Sequence, residues 1–169
     1  KSLYLAFGLV PRKVGKPDLG IGAAELAQAE ATRPGWRPGS WSLDQLVRTF
    51  FLLCFPAGDE SLYLKTLDQL FQTGEVGELI ALYQSLPLLP NPKSFVLRPA
   101  EGVRSNIKPV FLAVAHRNPY PAEQLSEEQW NQLVLKCLFI GESIVPVVGV
   151  DERANATLMP ILVDFAQER

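Results

Sequence analysis

The chain reads as an all-α fold, a compact array of about seven short antiparallel helices stacked like helical repeats or gathered into an irregular bundle. Three observations carry that reading. Apolar residues recur at three- and four-residue steps along most of the chain, which gathers them on one face of a helix. Two capping boxes, Ser42 with Gln45 and Ser126 with Gln129, mark helix starts. The one β-branched run, Ile144-Val-Pro-Val-Val148, is interrupted by Pro146 and has no partner strand, so it is expected to be a buried turn or short helix. With 169 residues, of which 47% are hydrophobic, the chain can bury one ordinary core. The expected organisation is a single domain over 1–169, loop-rich over 1–41 and helical over 42–169.

The first stretch is dense in Gly and Pro, including Pro11, Gly15, Pro17, Pro34 and Pro38, around one alanine-rich helix from Ile21 to Thr32. The remainder is expected to be loop, pinned to the core by Trp36 and Trp41 as large apolar anchors. From Ser42 a helix should turn Leu43, Leu46, Val47, Phe50, Phe51 and Cys54 inward and stop at Pro56. A second core helix is expected from about Asp59 to Thr73, burying Tyr63, Leu67, Leu70 and Phe71. A third, from Gly74 to Leu86, should bury Val76, Leu79, Ile80 and Tyr83. The proline-rich Leu86-Pro-Leu-Leu-Pro-Asn-Pro92 reads as a stiff connector.

Asn91 and Pro92 have the chemistry of an N-cap and first turn, predicting a fourth helix toward Ser105, strained at Pro99. Asn106 should cap a fifth, with Ile107, Val110, Phe111 and Val114 inward, ended by Asn118-Pro-Tyr-Pro121. The second capping box opens a sixth, with Trp130, Leu133, Val134 and Cys137 inward, stopping near Gly141. A last helix should run from Asn155 to about Gln167.

The charge pattern narrows the function classes. Sixteen basic against eighteen acidic residues give a net charge of −2 and no basic stripe, which argues against a nucleic-acid partner. Arg12, Lys13 and Lys16 lie among prolines and read as a solvated turn. Cys54 and Cys137 are both expected on buried helix faces, so a disulfide framework is not indicated and a reducing compartment fits. The longest apolar runs fall well short of the roughly 18–20 residues that span a bilayer, and the first residues lack a secretory pattern; the expected location is the cytoplasm. One histidine and two distant cysteines do not make an ordinary zinc site, Gly15-Lys16 is followed by Pro17 in place of the Ser or Thr of a phosphate loop, and no Gly-x-Ser-x-Gly elbow occurs. No cofactor and no metal are expected.

Chemistry is therefore sought in the polar third quarter, Glu101-Gly-Val-Arg-Ser-Asn106 followed by Ala115-His-Arg-Asn-Pro-Tyr-Pro121. Glu101 and Arg104 stand at i and i+3, where they can meet as a surface ion pair. Alternatively Glu101, Arg104, Asn106, His116, Asn118, Asn131 and Lys136 converge in a cleft, with cations for an anionic group and asparagines for directional bonds, walled by Tyr120 and Trp130. The plainer reading makes the asparagines helix caps. His116, with its near-neutral pKa, is the one candidate acid or base, with Glu101 or Asp151 as a companion carboxylate.

The same residues carry a family resemblance. Those two runs, together with Trp130-Asn-Gln-Leu-Val-Leu-Lys136, Gly149-Val-Asp-Glu-Arg-Ala-Asn155, Tyr83-Gln-Ser-Leu-Pro-Leu-Leu-Pro90 and Phe7-Gly-Leu-Val-Pro-Arg-Lys-Val-Gly-Lys16, make the chain similar to the EboA family over nearly its whole length. Ser105 stands where Thr is more usual in that family, and Val150 where Leu is. The resemblance implies a protein encoded in bacterial clusters beside a UbiA-like prenyltransferase and sugar-phosphate or hydrolase-like enzymes. Those clusters are associated with export and, in photosynthetic bacteria, with moving scytonemin precursors across the inner membrane. It supplies no catalytic residues. The functional expectation is a cytoplasmic accessory protein that binds a small metabolite, a lipid-linked intermediate or a partner protein of the cluster. The second reading is an enzyme acting on a polar head group through His116.

Overall fold

A computed structural model describes residues 2–167, and the described part is all-helical, with ten α-helices. They are α1 (Ser2–Val14), α2 (Ala23–Thr32), α3 (Leu43–Cys54), α4 (Glu60–Thr73), α5 (Val76–Ser85), α6 (Leu97–Arg104), α7 (Lys108–Ala115), α8 (Tyr120–Gln124), α9 (Glu127–Phe139) and α10 (Leu158–Gln167). Short 3-10 turns at Pro38–Ser40, Leu86–Leu88 and Pro92–Phe95 link them. The β-type pairing among the described residues is one isolated bridge between Asp18 and Ser42. Helix α5 packs on both α3 and α7, so it forms the spine of the array, with α1 against α3, α6 against α7, and α9 behind them.

Helix α1 corrects the loop expected there. Leu3, Phe7 and Val10 recur at helical spacing, and Phe7 and Val10 are buried. Pro11 does not abolish the helix because it falls in the last turns. A proline at that position has no N–H to give the carbonyl four residues back, which is Phe7 O. That carbonyl instead accepts from Arg48 Nε at 3.1 Å.

Helix α3 departs furthest from the sequence expectation. It begins at the predicted capping box, Ser42 with Gln45, but its buried residues are Asp44, Arg48, Thr49 and Leu52. Leu46, Phe50, Leu53 and Cys54 are exposed, Phe50 by 60%. Arg48 Nη1 donates to Asp44 Oδ2 at 2.7 Å and to Gly77 O at 3.3 Å, and its guanidinium lies 5.5 Å from the centre of the Phe7 ring. One buried cation thus ties α1, α3 and α5. The hydrogen bonds that satisfy it dictate which face of α3 turns inward, since a buried charge is costly unless fully paired.

The remaining core elements follow the periodicity more closely. Asp59 Oδ1 caps α4 by accepting from Leu62 N at 3.0 Å, and Tyr63, Leu67, Leu70 and Phe71 are buried. In α5 Tyr83 is buried while Val76 is exposed. The predicted fourth helix is split. Asn91 adopts a left-handed conformation (φ 53°) in place of a cap, Pro92–Phe95 is 3-10, and α6 starts only at Leu97. Pro99 therefore stands in the first turn of α6, where no intrahelical donor is needed, and the expected strain does not arise. Asn106 and Ile107 are exposed, and Ser105 Oγ, not Asn106, takes the Ile107 N–H at 3.1 Å. Val110, Phe111 and Val114 are buried as expected.

Helix α9 has its predicted cap and buries Trp130, Leu133, Val134 and Cys137, and burial lifts the Cys137 thiol to about 12. Asn155 caps α10, accepting from Leu158 N at 2.9 Å. Gly102 explains how α6 can lie so close to its neighbours: a Cβ there would stand 2.6 Å from Val114 Cγ2 and 2.8 Å from Tyr83 Cζ.

Replacing Arg48 with Met should cost about 3–5 kcal/mol in urea denaturation, because Asp44 is left buried and unpaired. Adding Asp44→Leu to that variant should recover part of the loss. Gly102→Ala should cost about 1–3 kcal/mol by overpacking the α5–α6–α7 contact.

Candidate functional site

The site is organised by the turn that follows α7. Asn118 is buried, and its side chain makes three bonds within the fold: Nδ2 donates to Tyr83 O at 3.0 Å and to Ala113 O at 3.1 Å, and Oδ1 accepts from Tyr120 N at 3.1 Å. This clamp closes the end of α7 and starts α8. Arg117, one residue earlier, is forced into the left-handed region (φ 54°), where only its N–H bond to Pro146 O at 2.8 Å and a long contact from Arg37 N to its carbonyl hold the backbone. A non-glycine residue in that region is held there by its surroundings.

Arg117 is the wall between two depressions. On one side is a cavity of about 270 Å³, to which His116, Gln84, Gln45 and Trp41 contribute. On the other is an open groove of about 890 Å³ formed by the 144–152 loop, α8 and the segment after α2. The Arg117 side chain is exposed, and among the described residues its hydrogen bonding is a 3.4 Å contact from Nη1 to Ser40 Oγ. Gln84 Oε1 is a buried acceptor with no partner among the described residues. Trp41 is buried beside the cavity and meets the half-buried Trp36 edge to face, with ring centroids 5.7 Å apart, while neither indole belongs to the main core cluster.

The groove is closed at its base by glycine. Gly35 has φ 79°, and a Cβ there would stand 2.8 Å from Val148 Cγ1. Its carboxylates are partly engaged. Glu123 accepts from Nη1 and Nη2 of Arg33 at 2.8 and 2.6 Å, and Glu30 accepts from Gly35 N at 2.8 Å and from Arg37 Nε at 3.0 Å. Those bonds, the backbone one foremost, hold the Glu30 carboxyl below its usual range. Asp151 and Glu152 stand exposed on the rim.

His116 is half-buried, and its Nε2 donates to Ser143 O at 3.0 Å. Burial pushes its pKa below the ordinary imidazole value, against the opposing pull of the Ser143 carbonyl and the Glu142 charge. Glu142 itself is bonded to Lys108, which holds its carboxyl below the usual range. Among the described residues no carboxylate hydrogen-bonds to His116. Glu101 pairs with Arg98 at 2.8 Å, and Asp151 lies in the groove beyond Arg117. The acid–base pair expected of an enzyme is not assembled in this geometry.

The expected cleft residues are largely dispersed. Glu101 meets Arg98 in place of Arg104, and Arg98 also binds Asp68 at 2.8 Å. Arg104 and Asn106 are exposed, outside both depressions. Lys136 Nζ donates to Val103 O at 2.6 Å and Ser105 O at 2.8 Å, closing the end of α6 over the Phe111 ring. Asn131 and Asn155 bond each other at 2.8 and 3.3 Å. His116 lines the smaller cavity. The residues the sequence reading passed over are Arg117, inside the quoted run and flanked by the two that drew attention, and Gln84, a lone amide in an apolar helix. Among the described residues, no group of three or more His, Cys, Asp and Glu is placed to hold a metal ion, and no helix is long and apolar enough to cross a membrane.

The EboA family model, described as metabolite traffic protein EboA, matches residues 1–169, the full chain. The chain belongs to the EboA family. No curated protein and no solved structure matches it. In this EboA-family chain, the runs that carried the resemblance divide by role. Asn118 and Lys136 secure the framework, while His116 and Arg117 face the depressions.

The depressed pKa of His116 makes stability sensitive to mild acid. Above the ordinary imidazole pKa both folded and unfolded chains are neutral there. As pH falls through that value the unfolded chain takes up the proton first, so stability is lost until the folded-state pKa is passed. The melting temperature should fall between pH 7.5 and 5.5 more steeply for the wild type than for His116→Gln.

Proposed function

We infer that this protein is a non-enzymatic accessory of metabolite traffic that binds a small metabolite across Arg117. The observation that carries this reading is the pairing of an exposed, weakly bonded guanidinium with the buried, unpartnered Gln84 Oε1 beside the same cavity. Such a pair suits a ligand with an anionic group for Arg117 and a hydrogen-bond donor for Gln84, with the Trp41 indole as an apolar wall. His116, neutral near pH 7 and donating through Nε2, leaves Nδ1 as a further acceptor. The groove on the other side of Arg117, about 890 Å³, has room for the remainder of a larger molecule, such as a lipid-linked intermediate, or a segment of a partner protein. The proposal extends to a cytoplasmic setting, partners from the same gene cluster and support for export of secondary-metabolite precursors of the scytonemin type. These rest on the family description and on the earlier resemblance.

The residues expected earlier keep a place in the proposal only where they reach the depressions, which singles out His116. Among the described residues the hydrogen-bond partner of His116 is the Ser143 carbonyl, so no observation favours the head-group enzyme.

The test is native mass spectrometry of the protein purified from cells that also express its genomic neighbours. A bound small molecule should appear with the wild type and be lost, with at least a tenfold fall in affinity, in Arg117→Ala, since charge-assisted hydrogen bonds contribute about 1.5–3 kcal/mol each. Gln84→Leu should weaken it less, and Arg104→Ala should leave it unchanged. A stable protein partner with no small molecule would overturn the metabolite reading in favour of an adaptor.

A further inference from the structure

The face that α3 turns outward fits a lipid surface. Of all the described helices, α3 has its apolar residues most sharply segregated to one side, yet that side is the exposed one: Leu46, Phe50 and Leu53 face away from the core while Asp44 and Arg48 face into it. Asp44 and Arg48 are the sole charged residues of α3, and both are buried, so its outer surface carries no charge at all. Single exposed apolar residues are ordinary, but a full uncharged stripe on one helix is not.

The neighbouring helix continues the surface. Helix α1 lies antiparallel to α3: Leu43 N bonds Pro17 O at 2.8 Å at one end, and at the other Leu3 and Ala6 share an open apolar groove of about 400 Å³ with Phe51, Cys54 and Phe55. Leu5, exposed by 66%, and Leu9 extend the apolar area along α1. Beyond them stand Arg12, Lys13 and Lys16, all exposed, and the first acidic residue in the chain is Asp18. Glu78 of α5 lies against α1 at Gly8 and Asp18 follows Lys16, but α1 itself has no acidic residue and the one acidic residue of α3, Asp44, is buried. An uncharged apolar face beside three exposed cations is complementary to an anionic bilayer, where acyl chains take the Leu and Phe side chains and phosphates take the Lys and Arg heads. The outer face of α3 presents no directional polar group except the Cys54 thiol, so a fluid partner satisfies it as well as a shaped one.

We propose that the α1–α3 face docks on the surface of an anionic lipid bilayer, lying in the headgroup region without crossing it. This goes beyond the metabolite reading and stands independently of it, because no residue of the Arg117 depressions takes part.

The test is co-sedimentation of the full chain with vesicles of phosphatidylcholine alone and of phosphatidylcholine with phosphatidylglycerol. Binding should require the anionic lipid and weaken as salt is raised. Phe50→Gln with Leu53→Gln, both exposed positions, should lower partitioning on the order of tenfold with an unchanged helical circular dichroism spectrum. Replacing Arg12, Lys13 and Lys16 by Gln should lower it by about fivefold per charge removed. Failure of the wild type to bind anionic vesicles would overturn the proposal, as would binding that neither variant reduces. A change in the state of association that Phe50→Gln and Leu53→Gln abolish, with no vesicle binding, would assign the face to a second copy of the chain instead.

Discussion

The buried guanidinium of Arg48 is the constraint from which the arrangement of the N-terminal half follows. It accepts no alternative: a cation enclosed by apolar helices must have its donors matched, and the partners here come from three different elements, the Asp44 carboxylate, the Phe7 carbonyl and the Gly77 carbonyl. Phe7 O is free to serve because Pro11 cannot donate to it. A residue that ordinarily disrupts a helix here creates the acceptor that joins that helix to the core. The same requirement rotates α3 about its axis, which carries Phe50 and Leu53 outward.

The second half of the chain uses the same device in smaller pieces. Helix ends leave carbonyls without partners, and long basic side chains collect them. Lys136 gathers Val103 O and Ser105 O at the end of α6. Arg153 reaches Pro121 O, Ala122 O and Leu125 O at the end of α8 while stacking 4.9 Å from the Trp130 ring. Asn118 does so with an amide. With the short α8 held by these contacts, the strained Arg117 peptide is locked between Pro146 and Arg37, and its side chain projects where two depressions meet. A framework residue, Asn118, and a residue lining both depressions, Arg117, are thus neighbours in one turn.

Helix starts and stops were legible wherever local chemistry sets them. Both capping boxes and the start of α4 near Asp59 stand as the residues predict, because each depends on contacts within a few positions, and the four inward residues of α9 follow the helical period. Helix α1 was legible too, in Leu3, Phe7 and Val10, but the surrounding Gly and Pro outweighed that spacing. Asn91 and Asn106 misled because an asparagine suits a left-handed turn or a solvated loop as readily as a cap. Arg117 lay within the polar third quarter that the residues single out. Its role could not be separated from that of Asn118 or Lys136, since all three are polar residues near helix ends.

What the sequence by itself determined is the all-helical class, most helix boundaries and the family membership, for these follow from local capping, periodicity and residue identity. What only the tertiary structure decided is which polar groups are consumed inside the fold and which are left to face a ligand or a surface. An arginine, a lysine and an asparagine look alike in sequence whether they close a helix end or line a cavity. The distinction lies in unpaired carbonyls contributed by residues tens of positions away, as when Arg48 meets Phe7 or Asn118 meets Tyr83. Burial must satisfy every such group, and only the packed chain shows how.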